Sequence, residues 1–140
     1  MTQAAQPRRQ FRLPEADELF LDGLGLSWET LVEAGLRWLV LHDFSLPAGY
    51  SRTNADIAVN IAPGYPPAPL DMAFLHPSLS RLDGRPIPRT QVTRAIDGRS
   101  WQQWSRHRPP ENPWIEGEDD LASHIHYMQA WLSAEFERAA

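Results

Sequence analysis

Hydrophobic and polar residues alternate along the first half of the chain in a way that predicts an antiparallel β-sheet. Residues 56–61 alternate strictly, with Ala58 on the polar face and three aliphatic side chains on the other: Ile57, Val59 and Ile61. This period of two is typical of a strand with one buried face. A β-branched and aromatic run at residues 36–44 precedes it, and residues 72–75 form a shorter apolar run after a proline-rich turn. Three successive strands of this kind predict a meander.

Apolar residues at intervals of three and four predict helices elsewhere. Near the C-terminal end, several apolar residues follow an acidic run at this spacing: Leu121, Ile125, Met128, Leu132 and Phe136. Because acidic residues favour a helix N-terminus, this segment is predicted to be an amphipathic helix. Ser27 is a favourable N-cap and Gly35 a favourable terminator, which predicts a short helix over residues 27–35. Residues 14–21 are predicted to form one or two helical turns.

Together these patterns predict an α+β domain in which an antiparallel meander packs against the C-terminal helix. Apolar residues on the buried faces are expected to share one core: Ile57, Val59, Ile61, Phe74, Leu121, Ile125, Met128 and Leu132. Residues 1–12 are polar and lack periodicity, so we expect a disordered tail before a single domain at residues 13–140. Residues 78–113 carry many Arg and Pro and two Asp-Gly turns, which predicts a long, irregular loop of a kind that is often functional.

The amino-acid composition excludes several classes of protein but does not identify the function. The 140 residues, 42% of them hydrophobic, suffice for one domain with its own core. No apolar run reaches the ~20 residues of a membrane helix, and the N-terminus lacks the apolar run of a signal peptide. We therefore expect a cytoplasmic protein without a membrane partner. The chain contains no cysteine, which excludes thiolate nucleophiles, disulfides and zinc sites built on cysteine.

The charged residues are unusual in two respects. All 13 basic residues are arginine, which reflects either codon bias or a chain that gains by having no lysine amine to compete in acyl transfer. Residues 13–32 are acidic, whereas residues 81–108 form a basic segment. In a chain of net charge -5, a basic segment fits an acidic protein partner or a solvated face. With no binding motif present, we expect no nucleic-acid partner.

The most concentrated chemistry lies in the segment Trp104-Ser105-Arg106-His107. A serine needs an adjacent base to become a nucleophile, and a cation can stabilise an oxyanion. Ser105, His107 and Arg106 could therefore act as nucleophile, general base and oxyanion donor. Neither a nucleophile-elbow glycine pattern nor a partner aspartate is evident in the sequence, which leaves a structural role open.

The other histidines do not suggest a metal site. His124 and His126 are two residues apart on a predicted helix, so they point to different faces. His42 and His76 have no ligand set near them in the sequence. We therefore expect neither a metal ion nor another cofactor.

The order of several short motifs resembles the ubiquitin-conjugating enzyme (UBC-like) superfamily. Tyr65-Pro66 and Pro69 match its Tyr-Pro-x-x-Pro-Pro segment, and His76-Pro77-Ser78 stands where its His-Pro-Asn would. Two later segments are similar to the divergent prokaryotic family E, whose members belong to bacterial conjugation operons: Trp104-Ser105-Arg106-His107, and Pro113-Trp114 followed by Gly117 and acidic residues. The resemblance implies a UBC-like fold, with a ubiquitin-like protein and its activating enzyme as partners.

The resemblance also suggests which residue takes the place of the family's catalytic cysteine. Ser105 lies nine residues before Trp114, close to the spacing between cysteine and tryptophan in the family. Alignment from the His-Pro motif selects Ile87 instead.

On the first alignment, the resemblance implies a transferase in which Ser105 carries the ubiquitin-like protein as an oxyester and passes it to an amine. His107 and Arg106 would assist the acyl transfer. The alternative is a catalytically inactive module that binds a ubiquitin-like protein or its activating enzyme. For the transferase, we expect Ser105 and His107 at the surface of a shallow groove near His76.

Overall fold

The computed structural model describes residues 6–137 as one antiparallel sheet with a helix packed on it. In chain order the elements are α1 (Glu15–Gly23), β1 (Trp28–Glu33), β2 (Leu36–Ser45), β3 (Asn54–Asn60), β4 (Ala73–His76), β5 (Thr93–Ile96), β6 (Arg99–Trp104) and α2 (Leu121–Ala134), with a 3-10 turn at Glu135–Glu137. The strand order is β1-β2-β3-β4-β6-β5. The first four strands therefore form a meander, and the last two form a hairpin that joins the sheet beside β4.

The structure confirms the α+β class, the three strands predicted from alternation and the C-terminal helix. Strands β2, β3 and β4 overlap the predicted runs, and α2 covers the predicted amphipathic segment. The helical turns predicted for residues 14–21 are present as α1. No helix within residues 6–137 combines the length and hydrophobicity needed to span a membrane.

The helix predicted over residues 27–35 is wrong, because this segment forms strand β1 and the turn after it. Ala34 and Gly35 both have left-handed φ angles, 51° and 79°, as in the two-residue turns that join antiparallel strands. Every residue of β1 is paired with β2. The backbone groups on that side of β2 need partners, and this tertiary demand outweighs the local cap signals.

The long loop predicted over residues 78–113 is interrupted by the β5–β6 hairpin. Asp97 and Gly98 form its turn, again with left-handed φ angles, 53° and 74°. The β5 residues Thr93, Arg94 and Ala95 are exposed, so this strand shows little hydrophobic alternation. Its pairing with β6, and the pairing of β6 with β4, stabilise a strand that the sequence pattern did not indicate.

Both faces of the sheet are buried, which differs from the single core that the pattern predicts. The larger cluster lies under α2 and contains all the predicted core residues except Phe74. Phe74 belongs to a second cluster on the opposite face, together with Leu31, Trp38, Val40, Ala58, Ile96 and Trp101. Ala58, predicted on a polar face, is 0% exposed.

The second cluster is buried because the sheet curls until its two edges meet. The backbone N–H of Asp97, in the β5–β6 turn, donates to Glu33 Oε1 of β1 at 3.0 Å. Arg8 bridges the same two edges, with Nε 2.8 Å from Glu29 Oε2 and Nη2 2.7 Å from Asp97 Oδ2. The curled face therefore encloses an apolar interior of its own.

The disorder predicted for residues 1–12 is wrong from Arg8 onward, and residues 1–5 lie outside the described part of the chain. Thr30 of β1 donates its N–H to the Arg8 carbonyl and accepts from the Gln10 N–H, both at 2.9 Å. The segment thus pairs with the outer edge of β1. These backbone hydrogen bonds form against a completed strand, so they leave no periodic signal in the sequence.

Candidate functional site

The predicted site residues lie where β4 begins and β6 ends. The two strands are antiparallel, with Ala73 opposite Trp104. Asp71, two residues before Ala73, is therefore brought close to the segment after Trp104. This pairing brings Asp71 into contact with His107, 36 positions further along the chain.

Ser105 is half-buried at this end of the sheet. Its Oγ accepts a hydrogen bond from Gln103 Nε2 at 3.0 Å, and its backbone N–H donates to the Arg89 carbonyl at 3.2 Å. Because its Oγ acts here as an acceptor, the hydroxyl keeps its own proton available for donation. The side chain is thus held in place with its proton uncommitted to Gln103.

His107 pairs with Asp71, which sequence reasoning missed. The imidazole Nδ1 lies 2.8 Å and 3.0 Å from the two Asp71 carboxylate oxygens. Each side chain is 56% exposed. A carboxylate at Nδ1 orients an imidazole and favours the tautomer with its proton on that nitrogen. The sequence would identify Asp71 as the partner of His107 only if the pairing of β4 with β6 were already known.

Arg106 is engaged on the helix side of β6. Its side chain is 13% exposed, and its Nη2 lies 3.6 Å from Glu135 Oε1. Its Nη1 donates to the Pro88 carbonyl at 3.0 Å, and its guanidinium lies 4.9 Å from the Trp104 ring centroid. These contacts favour a packing role for Arg106 over the oxyanion role that the sequence suggested.

Two shallow cavities meet at His107. One, of about 220 Å³, is lined by Pro88, Arg89, Ser105, Arg106, His107 and Tyr127. The other, of about 390 Å³, has a wall of prolines with Trp114 and also includes Asp71 and His107. The predicted surface groove is therefore present, with the Asp71–His107 pair on its rim.

The groove does not lie near His76, contrary to the prediction. His76 is at the far end of β4, three residues beyond Ala73, which at the rise of a β-strand is roughly 10 Å. Its Nδ1 lies 2.9 Å from the Ser100 carbonyl, and its ring is 5.4 Å from that of Trp101. His76 thus neighbours the beginning of β6, whereas Ser105 follows its end. Ile87, the alternative position, is 5% exposed and packs in the main core.

The Tyr-Pro motif connects the groove to both helices. Tyr65 donates its hydroxyl proton to Asp17 Oδ2 at 2.6 Å and accepts from the Leu121 N–H at 2.7 Å. Trp114 Nε1 donates to the Pro66 carbonyl at 3.1 Å. Burial raises the pKa of Asp17, while the Tyr65 hydrogen bond opposes that shift. The motif therefore anchors the proline-rich segment to α1 and to the start of α2.

Within residues 6–137, no three His, Asp or Glu side chains are grouped as ligands for a metal ion. His42 instead lies between two carboxylates, with Nε2 2.9 Å from Glu29 and Nδ1 3.1 Å from Asp56. His124 is 3% exposed, and its Nε2 lies 2.8 Å from the Met72 carbonyl. Burial lowers the pKa of His124, which favours the neutral form of the ring.

Comparison with known proteins identifies the family. Neither a curated protein nor a solved structure matches the chain. The curled antiparallel sheet with its C-terminal helix is compatible with the UBC-like fold that the motifs imply. A family model described as Prokaryotic E2 family E matches residues 13–135, a range that contains all six strands and both α-helices. The protein therefore belongs to the prokaryotic E2 family E.

Proposed function

We propose that this protein accepts a ubiquitin-like protein from an activating enzyme as an oxyester on Ser105 and then passes it to an amine. Membership of a prokaryotic E2-like family supports a role in ubiquitin-like conjugation. The observation that carries the finer proposal is the pairing of His107 with Asp71, because His107 lies two residues beyond Ser105 and lines the same cavity. Since the chain has no cysteine, a hydroxyl is the available nucleophile of this type.

The proposed reaction has two steps. In the first, Ser105 Oγ attacks the acyl carbon; a C–O bond forms as the bond from that carbon to the activating enzyme breaks, and His107 takes the serine proton and returns it to the leaving group of the activating enzyme. In the second, an amine attacks the ester; a C–N bond forms as the C–O bond to Ser105 breaks, and His107 takes a proton from the amine and delivers it to Ser105 Oγ. Because Asp71 occupies Nδ1, the nitrogen that exchanges these protons is Nε2. Backbone N–H groups, rather than Arg106, would stabilise the oxyanion.

The second candidate is a binding module of the same fold without catalytic activity. One observation favours it: Ser105 Oγ is hydrogen-bonded to Gln103, and no hydrogen bond joins it to His107 in the described part of the chain. For catalysis, bound substrate would have to bring the two side chains together, as occurs in many enzymes whose catalytic hydrogen bonds tighten only in the complex.

The test is incubation with ATP, the cognate activating enzyme and its ubiquitin-like protein. We expect a covalent adduct that resists thiol reductants and is cleaved by hydroxylamine or mild base, as an ester is. Ser105→Ala should abolish the adduct, and Ser105→Cys should convert it into one that thiols cleave. His107→Ala and Asp71→Asn should slow charging while leaving binding of the partners nearly unchanged.

Ser100→Ala is the matched control, because Ser100 is an exposed serine at the other end of β6, beside His76. Loss of charging in Ser100→Ala but not in Ser105→Ala would move the acceptor to Ser100. With no lysine in the chain, an alkali-stable adduct could form only at the N-terminal amine. If no adduct forms, the oxyester proposal is wrong and the binding module without catalytic activity is the remaining candidate function.

A further inference from the structure

One face of helix α2 holds both chain segments that carry the Asp71–His107 pair. His124 and Tyr127 are three residues apart in α2, so they lie on the same face one turn from each other. His124 Nε2 is 2.8 Å from the carbonyl of Met72, the residue after Asp71. The Tyr127 hydroxyl donates to the carbonyl of His107 itself at 3.1 Å.

We infer that His124 and Tyr127 are positioning residues that hold Asp71 and His107 in register for proton transfer. The inference deepens the function proposed above and rests on it for its catalytic meaning. Neither residue needs to touch the acyl group. His124 acts through the carbonyl of Met72, the residue next to Asp71. Tyr127 acts through the carbonyl of His107 itself.

The segment before β4 needs such support. Met72 has a φ of 56°, a left-handed conformation that is unfavourable for a residue with a Cβ atom. Asp71 precedes it, and its side chain is 56% exposed although Leu70 on its other side is buried. A hydrogen bond from His124 to the Met72 carbonyl orients the peptide plane that follows. The direction in which Asp71 projects is thereby coupled to α2.

His124 is poorly explained by packing alone. The residue is 3% exposed, and its Nδ1 is buried without a hydrogen-bond partner in the described chain. An unsatisfied buried nitrogen is unfavourable, and a leucine would fill the place without one. The feature that only a donor side chain supplies is the hydrogen bond to Met72. Because a carbonyl oxygen can only accept, Nε2 must carry a proton for that bond to form, and in a neutral ring Nδ1 then carries none.

Tyr127 fixes the other half of the pair. It is half-buried, it lines the cavity that contains Ser105, and the Arg108 guanidinium lies 5.5 Å from its ring centroid. Its hydroxyl bond to the His107 carbonyl holds the backbone of the residue whose side chain meets Asp71. The His124 contact therefore supports the Asp71 side of the Asp71–His107 hydrogen bond, and the Tyr127 contact supports the His107 side.

The test reads the tautomer of His107 in the free, full-length chain by long-range nitrogen–proton NMR, at alkaline pH where imidazoles are neutral. In the unmodified protein we expect the proton on Nδ1, facing Asp71. His124→Leu, which removes the donor, should shift His107 towards the Nε2–H tautomer that a free imidazole prefers. It should also slow Ser105 charging by about tenfold to a hundredfold, the scale of a small misplacement of catalytic groups.

His124→Gln, whose carboxamide retains a donor, should restore both the tautomer and much of the rate. Tyr127→Phe removes only a hydroxyl and should shift the tautomer in the same direction while the protein stays folded. His126→Leu is the matched control, because His126 is exposed on the same helix, makes an edge-to-face contact with Phe20 and does not line the cavity that contains Ser105. It should change neither readout.

A folded His124→Leu or Tyr127→Phe variant with an unchanged His107 tautomer would overturn the inference, even if Ser105 is charged. If His124→Leu does not fold, Tyr127→Phe decides the question. The tautomer is measured without the activating enzyme, so a shift in these variants supports the positioning role even where no charging occurs. Failure of charging alone would count against the proposed function and not against this one.

Discussion

At the scale of single residues, His42 makes the stability of the fold depend on pH. Its hydrogen bonds to Asp56 and then to Glu29 raise its pKa, and burial opposes them. The stabilisation is fully present below the unfolded pKa of about 6.5 and is lost as pH rises through the folded value. We expect the advantage of the unmodified protein over His42→Gln, measured by urea unfolding, to fall by on the order of 1 kcal/mol between about pH 6 and pH 9.

The comparison with His42→Gln is needed because His124 has the opposite effect. Burial lowers the pKa of His124, so the unfolded chain binds a proton there first and stability falls as pH drops below about 6.5. The unmodified protein and His42→Gln both contain His124, so its effect cancels in the difference between their free energies of unfolding. An advantage over His42→Gln that stays constant or grows with pH would contradict the role given to His42.

At the scale of elements, the start of α2 is set by a reciprocal cap. Asp120 Oδ1 accepts from the Ser123 N–H at 3.1 Å, and Ser123 Oγ accepts from the Asp120 N–H at 2.9 Å. Asp120→Ala is expected to lower the free energy of unfolding by about 1 kcal/mol, because it leaves a helix N–H without a partner. Glu118→Ala removes a nearby exposed carboxylate outside the cap, so thermal or urea unfolding should change little. Equal effects in both variants would argue for charge rather than capping.

The two hairpin turns show why local sequence leaves element boundaries open. The sequence predicts Gly35 as a helix terminator and Asp97-Gly98 as part of a loop, yet Ala34-Gly35 and Asp97-Gly98 each form a two-residue turn between strands. The same left-handed glycine suits a helix end or a hairpin, so the local sequence does not distinguish them. Whether such a glycine ends a helix or forms a hairpin turn depends on whether a neighbouring strand has backbone groups that need partners.

At the scale of the whole molecule, Arg8 joins the two edges of the curled sheet. Arg8→Ala is expected to lower the free energy of unfolding by about 1 kcal/mol at low ionic strength, and by less in high salt, since Arg8 is 43% exposed. Arg85→Ala is the control, because Arg85 is exposed and its side chain makes no hydrogen bond in the described chain. Urea unfolding at two salt concentrations measures both. An Arg8 variant no less stable than the Arg85 variant would show that closure of the sheet does not depend on this bridge.

The sequence by itself determined the features that depend on neighbours along the chain. Alternation at residues 56–61 and helical spacing from Leu121 onward were sufficient for three strands and α2, because each segment must bury one face wherever it packs. The Trp104-Ser105-Arg106-His107 segment was also recognisable, since its chemistry lies within four consecutive residues.

Only the tertiary structure decided what depends on pairing between distant segments. The β4–β6 register brought Asp71 to His107, and the curl of the sheet placed Phe74 and Ala58 in a second core. The contact between Arg106 and Glu135, two residues after the end of β6 and at the end of α2, likewise joins segments that are distant in the sequence. Periodicity reports that a face is buried but not what covers it, because the covering atoms come from elsewhere in the chain.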